Sequence, residues 1–170
     1  MTKFSPSPAF RLGNKVASRL IRWGLPMRIR RTEIALLTVR GRKTGLPRSF
    51  PVALAKREDE WLLVAVYGVS DWSRNLEAIR EATITIARRT TLVHARRLGP
   101  EEAGSILRES MTSAPALVQR MTAAYFTAQA GSDIRAWQQE SVSHPVFVLT
   151  PSQSPTAGRG IERRPGGQDE

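Results

Sequence analysis

The chain has no cysteine, few aromatic residues (6%) and only two histidines, His94 and His144. Without cysteine there is no disulfide and no thiol nucleophile, a composition compatible with a reducing cytoplasm. Two histidines without cysteine or close carboxylate partners do not form a zinc site, so no metal is expected. No stretch approaches the roughly 20 uninterrupted apolar residues of a membrane span. The N-terminal MTKFSPSPAFRLGNK has no apolar run ahead of its charges and does not read as a secretory signal. There is no Gly-x-Ser-x-Gly elbow of a Ser-His-Asp hydrolase. His94, inside TLVHARR, reads as an ordinary strand histidine, and His144, before Pro145, as part of a turn.

Acidic residues are scarce as well, 15 against 26 Lys and Arg, for a net charge of +11 over 170 residues. Such an excess favours an anionic partner: nucleic acid, an anionic membrane surface or a polyanionic small molecule. The lack of a nucleic-acid-reading motif and the sparse aromatics argue against nucleic acid. Between Arg11 and Arg48 stand eleven bases and one acid, Glu33, so the excess sits in the N-terminal third.

With 41% apolar residues, the chain suits one globular domain with a real core. Three parts are expected: residues 1–31, a basic helix and linker; residues 32–150, the folded domain; and residues 151–170, a Pro/Gly/Ser tail without periodicity. Residues 9–24, AFRLGNKVASRLIRWG, gather apolar side chains on one helical face and Arg11, Lys15, Arg19 and Arg22 on the other. That helix either packs on the core or lies on an anionic bilayer at the inner face of the cell membrane.

Strands are expected at 34–39, 49–55, 61–67, 83–87, 91–98 and 145–150, the fourth and fifth joined by a turn at Arg89 and Thr90. Asp71 is the expected N-cap of a helix beginning at Trp72, and Pro100-Glu101-Glu102 opens another. Residues 113–130 read as a third helix, with Pro115 in its first turn. Hairpins dominate and no βαβ unit recurs. The fold class is therefore mostly β with added helices, an antiparallel, barrel-like sheet.

Two segments carry chemistry. In LLTVRGRKTGLPRSFPVAL, the strands flank a loop with Gly41, Arg42, Lys43 and Gly45, followed by Arg48. Glycines there permit backbone N–H groups to converge on an anion, and the bases add charge. A solvated, charge-bearing hairpin is the competing reading. In AVYGVSDWSRNL, a strand runs into a helix whose Trp72 and Asn75 share a face. Its N-terminus suits an anionic or carbonyl group, and Tyr67 and Trp72 offer stacking surfaces. Taken alone, this segment reads as a core tryptophan and a surface amide.

Together, LLTVRGRKTGLPRSFPVAL, WLLVAVYG, DWSRNL and HPVFVLT resemble the deazaflavin-dependent nitroreductase family of split β-barrel oxidoreductases, from about residue 32 to 150. The resemblance implies an FMN-binding-like split barrel and reduced coenzyme F420, a deazaflavin whose tail carries a phosphate and glutamates. It places Arg42, Lys43, Thr44 and Arg48 at that tail. It sets Ser49, Phe50, Pro51, Val52 and Ala53 along the deazaflavin and its ribityl chain. Ala65, Val66, Tyr67 and Gly68 would offer backbone groups near ring and phosphate, and Asp71, Trp72 and Asn75 would complete the pocket. Tyr125 and Phe126 resemble residues lining the substrate side. The segment YGVSD is shorter than its counterpart in menaquinone-reducing members. The implied reaction moves a hydride to a small electron-poor acceptor, with Tyr67, Arg74 and Tyr125 as candidates for helping a developing oxyanion. FMN in place of F420 is the alternative cofactor. The rival function is a non-catalytic protein, either a barrel that holds a flavin, heme or deazaflavin or one that binds nucleic acid or membrane through its basic surface.

Overall fold

The structure is a computed structural model describing residues 28–29 and 32–152. The helix expected over residues 9–24 and the tail from residue 153 onward lie outside them. In chain order come β1 (Arg28–Ile29), β2 (Thr32–Arg40), β3 (Pro47–Arg57), β4 (Glu60–Val64), α1 (Asp71–Ile79), β5 (Glu81–Ile86), β6 (Arg89–Arg97), α2 (Pro100–Ser113), α3 (Ala116–Thr122), a 3-10 turn (Ala123–Tyr125), α4 (Ile134–Ser143) and β7 (Val146–Pro151). The strands run in the order β2-β3-β4-β7-β6-β5, and β5 returns to pair with β2. Every pairing is antiparallel, so six strands close into a barrel, with β1 added beside the start of β2. This is the expected split-barrel class.

Alternation along each strand decides what the barrel encloses. Leu37, Val39, Val52, Leu54, Leu63, Ile84, Val93, Phe147 and Leu149 fill its interior, with Leu76 of α1 joining them. A second core lies outside the wall, where Ile106, Leu107 and Trp137 of α2 and α4 meet Val146 and Val148. Strand β7 therefore sends Phe147 and Leu149 inward and Val146 and Val148 outward, which explains its unbroken apolar run. Helices α2 and α4 approach closely at Gly104, where a Cβ would lie 2.8 Å from the backbone N of Gln138.

Several boundaries differ from expectation. The β2–β3 ladder runs without interruption from Thr32↔Ala55 to Arg40↔Pro47, longer than the two apolar runs. Strand β4 stops at Val64 rather than Tyr67, because Val64 pairs with Val146, the first residue of β7. The β5–β6 turn falls on Ala87 and Arg88, both with positive φ (45° and 69°), and Arg89 and Thr90 already belong to β6. The single helix expected over residues 113–130 is instead α3 and the 3-10 turn, with Pro115 as N-cap, followed by irregular chain. Helix α4 was not anticipated. Asp133 caps it by accepting from the Ala136 N–H at 2.8 Å, and its buried Glu140 accepts from the Thr127 N–H at 2.7 Å.

Candidate functional site

The loop between β2 and β3 is a compact turn. Gly41 N–H donates to the Leu46 carbonyl (2.9 Å), and the N–H groups of Thr44 and Gly45 both donate to the Gly41 carbonyl (3.2 and 2.7 Å). Gly45 takes the left-handed conformation (φ +66°) that reverses the chain. The N–H of Arg42 is also spent, on Asn75 Oδ1 at 3.2 Å. The expected convergence of N–H groups on an external anion is thus corrected at four positions. The amides hold the turn together, and charge is presented by side chains. Lys43, Thr44 and Arg48 are exposed. The Arg48 Nε lies 3.5 Å from where a Cβ on Gly41 would stand, so Arg48 reaches back over the loop from the second residue of β3.

The loop rests on the head of α1. Arg42 Nη1 donates to Asn75 Oδ1 at 2.8 Å, and Nη2 lies 3.7 Å from Asp71 Oδ1. Asn75 is only 3% exposed, so it is not the surface amide that its segment alone would indicate. The N-cap of α1 is Ser70, not Asp71: Ser73 Oγ accepts from the Ser70 N–H (2.9 Å) and donates to the Ser70 carbonyl (3.0 Å). Asp71 is the first helical residue, where its carboxylate favours the positive end of the helix dipole. Trp72 is half-buried and packs at 6.2 Å on Phe147 of the barrel interior. Arg74 is exposed.

Along β3, Phe50 and Val52 turn into the barrel, and Ser49, Pro51 and Ala53 alternate outward. Ser49 Oγ lies 2.8 Å from Thr38 Oγ1 on the neighbouring strand. Beyond β4, residues 65–68 form a turn bolted to the chain before β7. Ala65 N–H donates to the Pro145 carbonyl (3.0 Å), Gly68 N–H to the Ala65 carbonyl (2.9 Å), and His144 Nδ1 lies 3.2 Å from that same oxygen. Gly68 has φ +80°, and a Cβ on it would stand 3.4 Å from the Ser143 carbonyl. Sequence reading missed His144, whose ring is buried and whose partner lies 79 residues away.

Tyr67 and Tyr125 meet edge to face, ring centroids 5.0 Å apart at 84°. Both are partly exposed, Tyr67 by 37% and Tyr125 by 41%. Desolvation by burial, and secondarily Tyr125, raise the Tyr67 phenol above its ordinary pKa. It keeps its proton at neutral pH and is a hydrogen-bond donor rather than a base. Phe126, the neighbour of Tyr125, goes the other way. It is 7% exposed, stacks on His144 at 4.1 Å and lines a cavity of about 250 Å³ among the helices with Thr122 and Trp137. The structure thus brings the basic loop and the head of α1 together and joins Tyr67 to Tyr125, but turns Phe50, Val52 and Phe126 into the two cores. Among the described residues no group of three or more His, Asp or Glu could hold a metal ion, and no helix is long and apolar enough to cross a membrane.

A closed six-stranded antiparallel barrel with helices outside its wall and a cationic loop at its rim belongs to the split-barrel class. The family model for F420H(2)-dependent quinone reductase matches residues 16–136, and the chain belongs to that family of oxidoreductases, whose cofactor is F420. No curated protein sequence matches the chain. Solved structures of similar shape include an F420-H2 dependent reductase (18% identity, TM-score 0.49, covering 74% of this chain and 99% of that one). The heme storage protein HutZ from Vibrio cholerae shows 15% identity and a TM-score of 0.45, over 82% and 91% of the two chains. An FAD-binding protein from Mesorhizobium loti shows 11% identity and a TM-score of 0.44, over 82% and 89%.

Proposed function

We propose that this oxidoreductase binds reduced F420 at the rim formed by the β2–β3 loop, the outward face of β3, the turn at residues 65–68 and the head of α1. When bound there, the cofactor supplies a hydride to a small electron-poor acceptor: a quinone, an enone or a nitro compound. The observation that carries the reading is the docking of the cationic loop onto α1. It leaves Lys43 and Arg48 exposed and, among the described residues, without a carboxylate partner. Two such cations beside a helix N-terminus fit a group bearing a phosphate and several carboxylates.

In this arrangement Lys43, Thr44 and Arg48 hold the anionic tail, with Arg42 at the base of the loop. Ser49, Pro51 and Ala53 lie along the ring and ribityl chain, and Phe50 and Val52 contribute backbone only. Val66, Tyr67 and the Gly68 carbonyl present backbone groups to the ring, while Ala65 and the Gly68 N–H tie the turn to itself and to the chain before β7. Asp71 and Trp72 form the far wall, with Asn75 buried behind them beneath Arg42. Tyr125 faces the acceptor with Tyr67, and Phe126 backs it from the helical core. The Tyr67 hydroxyl, protonated across the working range, donates a hydrogen bond to an oxyanion developing on the acceptor. Arg74 and the Tyr125 hydroxyl are further candidates for that contact.

The test is a fluorescence titration of the full chain with F420, run beside FMN and duplex DNA, followed by oxidation of reduced F420 against a panel of quinones, enones and nitroaromatics. Saturable F420 binding with turnover of at least one acceptor class is expected. Tight FMN binding without F420 affinity exchanges the cofactor, F420 binding without turnover leaves a carrier, and DNA binding alone ends the reading.

A further inference from the structure

Buried amide oxygens need donors, and the donors of Asn75 are unusual. Its Oδ1, on a residue 3% exposed, accepts from both the main-chain N–H and the guanidinium Nη1 of Arg42, 33 positions earlier. Two donors use both lone pairs of that oxygen. Three residues before Asn75, on the same face of α1, Trp72 packs on Phe147 inside the barrel. The Arg42 side chain, 29% exposed, is turned to the helix by its contacts with Asn75 and Asp71, whereas among the described residues the Lys43 and Arg48 side chains make no hydrogen bond or ion pair with a protein group. The Asp71 carboxylate, 78% exposed and 3.7 Å from Nη2, adds little to this grip.

From this geometry we infer that Arg42 and Asn75 are positioning residues: a strut that fixes the basic loop to α1, so that Lys43 and Arg48 meet the ligand's anionic groups while Arg42 does not. The inference rests on the proposed cofactor site and reassigns the part played by its first arginine. The chemistry of position 75 agrees. An aspartate there would bury a negative charge and neutralise part of the loop, and an alanine would leave two donors unmet. Asparagine alone offers a neutral oxygen at this reach.

Limited trypsin digestion of the ligand-free full chain tests the strut without any cofactor. Asn75→Ala keeps every basic residue, and cutting after Lys43 is expected to speed up about tenfold relative to wild type, since local opening governs cleavage. If that variant does not fold, Arg42→Met leaves Lys43 as the cutting site and carries the same comparison. In F420 titrations, Arg42→Ala and Asn75→Ala are each expected to weaken binding several-fold, the double variant no more than the worse single one. The salt dependence of binding stays at the wild-type slope in Arg42→Ala and flattens in Lys43→Ala. In turnover, the KM for reduced F420 rises more than kcat falls. An unchanged digestion rate, additive losses, or a salt slope flattened by Arg42→Ala would overturn the strut. If wild type does not bind F420 at all, the proposed function fails, and the digestion still decides the strut.

Discussion

Removing one loop cation at a time gives the sharpest test of the site. Arg48 is the second residue of β3, paired with Val39, and reaches back over Gly41 from a backbone that the ladder holds rigid. Lys43 sits at the loop tip on a turn closed by three main-chain hydrogen bonds. A cation and an anionic oxygen about 4 Å apart attract by about 1 kcal/mol in bulk water and about 4 kcal/mol at the effective dielectric of a protein surface. Both side chains are exposed, which puts each contact near the lower figure, about 1–1.5 kcal/mol, or roughly a tenfold change in Kd. Arg48→Ala should cost more than Lys43→Ala, because a guanidinium grips a phosphate with two parallel donors and an ammonium with one point charge. The assay is F420 fluorescence titration at about 50 and about 500 mM salt, where screening shrinks the wild-type affinity and the gap to both variants. Wild-type affinity that ignores salt, or variants that bind as tightly as wild type at low salt, would refute the reasoning.

Tyr67→Phe should leave F420 affinity near wild type and lower kcat about tenfold, read from steady-state rates. Folding raises the Tyr67 pKa, so deprotonation favours the unfolded chain: stability falls as pH climbs past about 10, and melting temperatures across pH 9–11 should fall less steeply in that variant. Gly104→Ala forces a methyl group to within 2.8 Å of the Gln138 backbone and should cost about 1–3 kcal/mol, seen as a drop in Tm with F420 affinity retained in the folded fraction. Replacing Ala87 by Gly relieves a left-handed residue in the β5–β6 turn and should raise stability by about 0.5–1 kcal/mol in chemical denaturation. Co-sedimentation of the full chain with phosphatidylserine vesicles, but not with phosphatidylcholine vesicles, would favour the bilayer reading of residues 9–24; no sedimentation favours packing on the core.

Much of the barrel was legible because its strands are short apolar runs separated by turn residues. The six expected strands are the six barrel strands, with ends off by a few residues. Ends depend on partners: β4 stops where β7 starts, a relation across more than eighty residues that no local pattern carries. Helix α4 escaped because IRAWQQESVS has only a few apolar side chains and buries Glu140 and Ser141, whose cost is met by hydrogen bonds to distant or neighbouring backbone. At the site, the two segments were visible, but not that Asn75 would be sealed beneath Arg42. Tyr125 and Phe126 are adjacent letters, yet one faces solvent beside Tyr67 and the other stacks on His144. That divergence follows from a 3-10 turn whose end the sequence does not mark.

Strand β7 follows every other described strand in the chain, yet lies between β4 and β6 rather than at a seam. During synthesis, then, two hydrophobic strand borders wait unpaired until the ribosome has delivered residues 146–151. Closure is a late, long-range event of the kind that slows folding and exposes nascent chains to association. Premature termination just upstream of Val146 should yield not a weaker enzyme but an insoluble product and a substrate for chaperones.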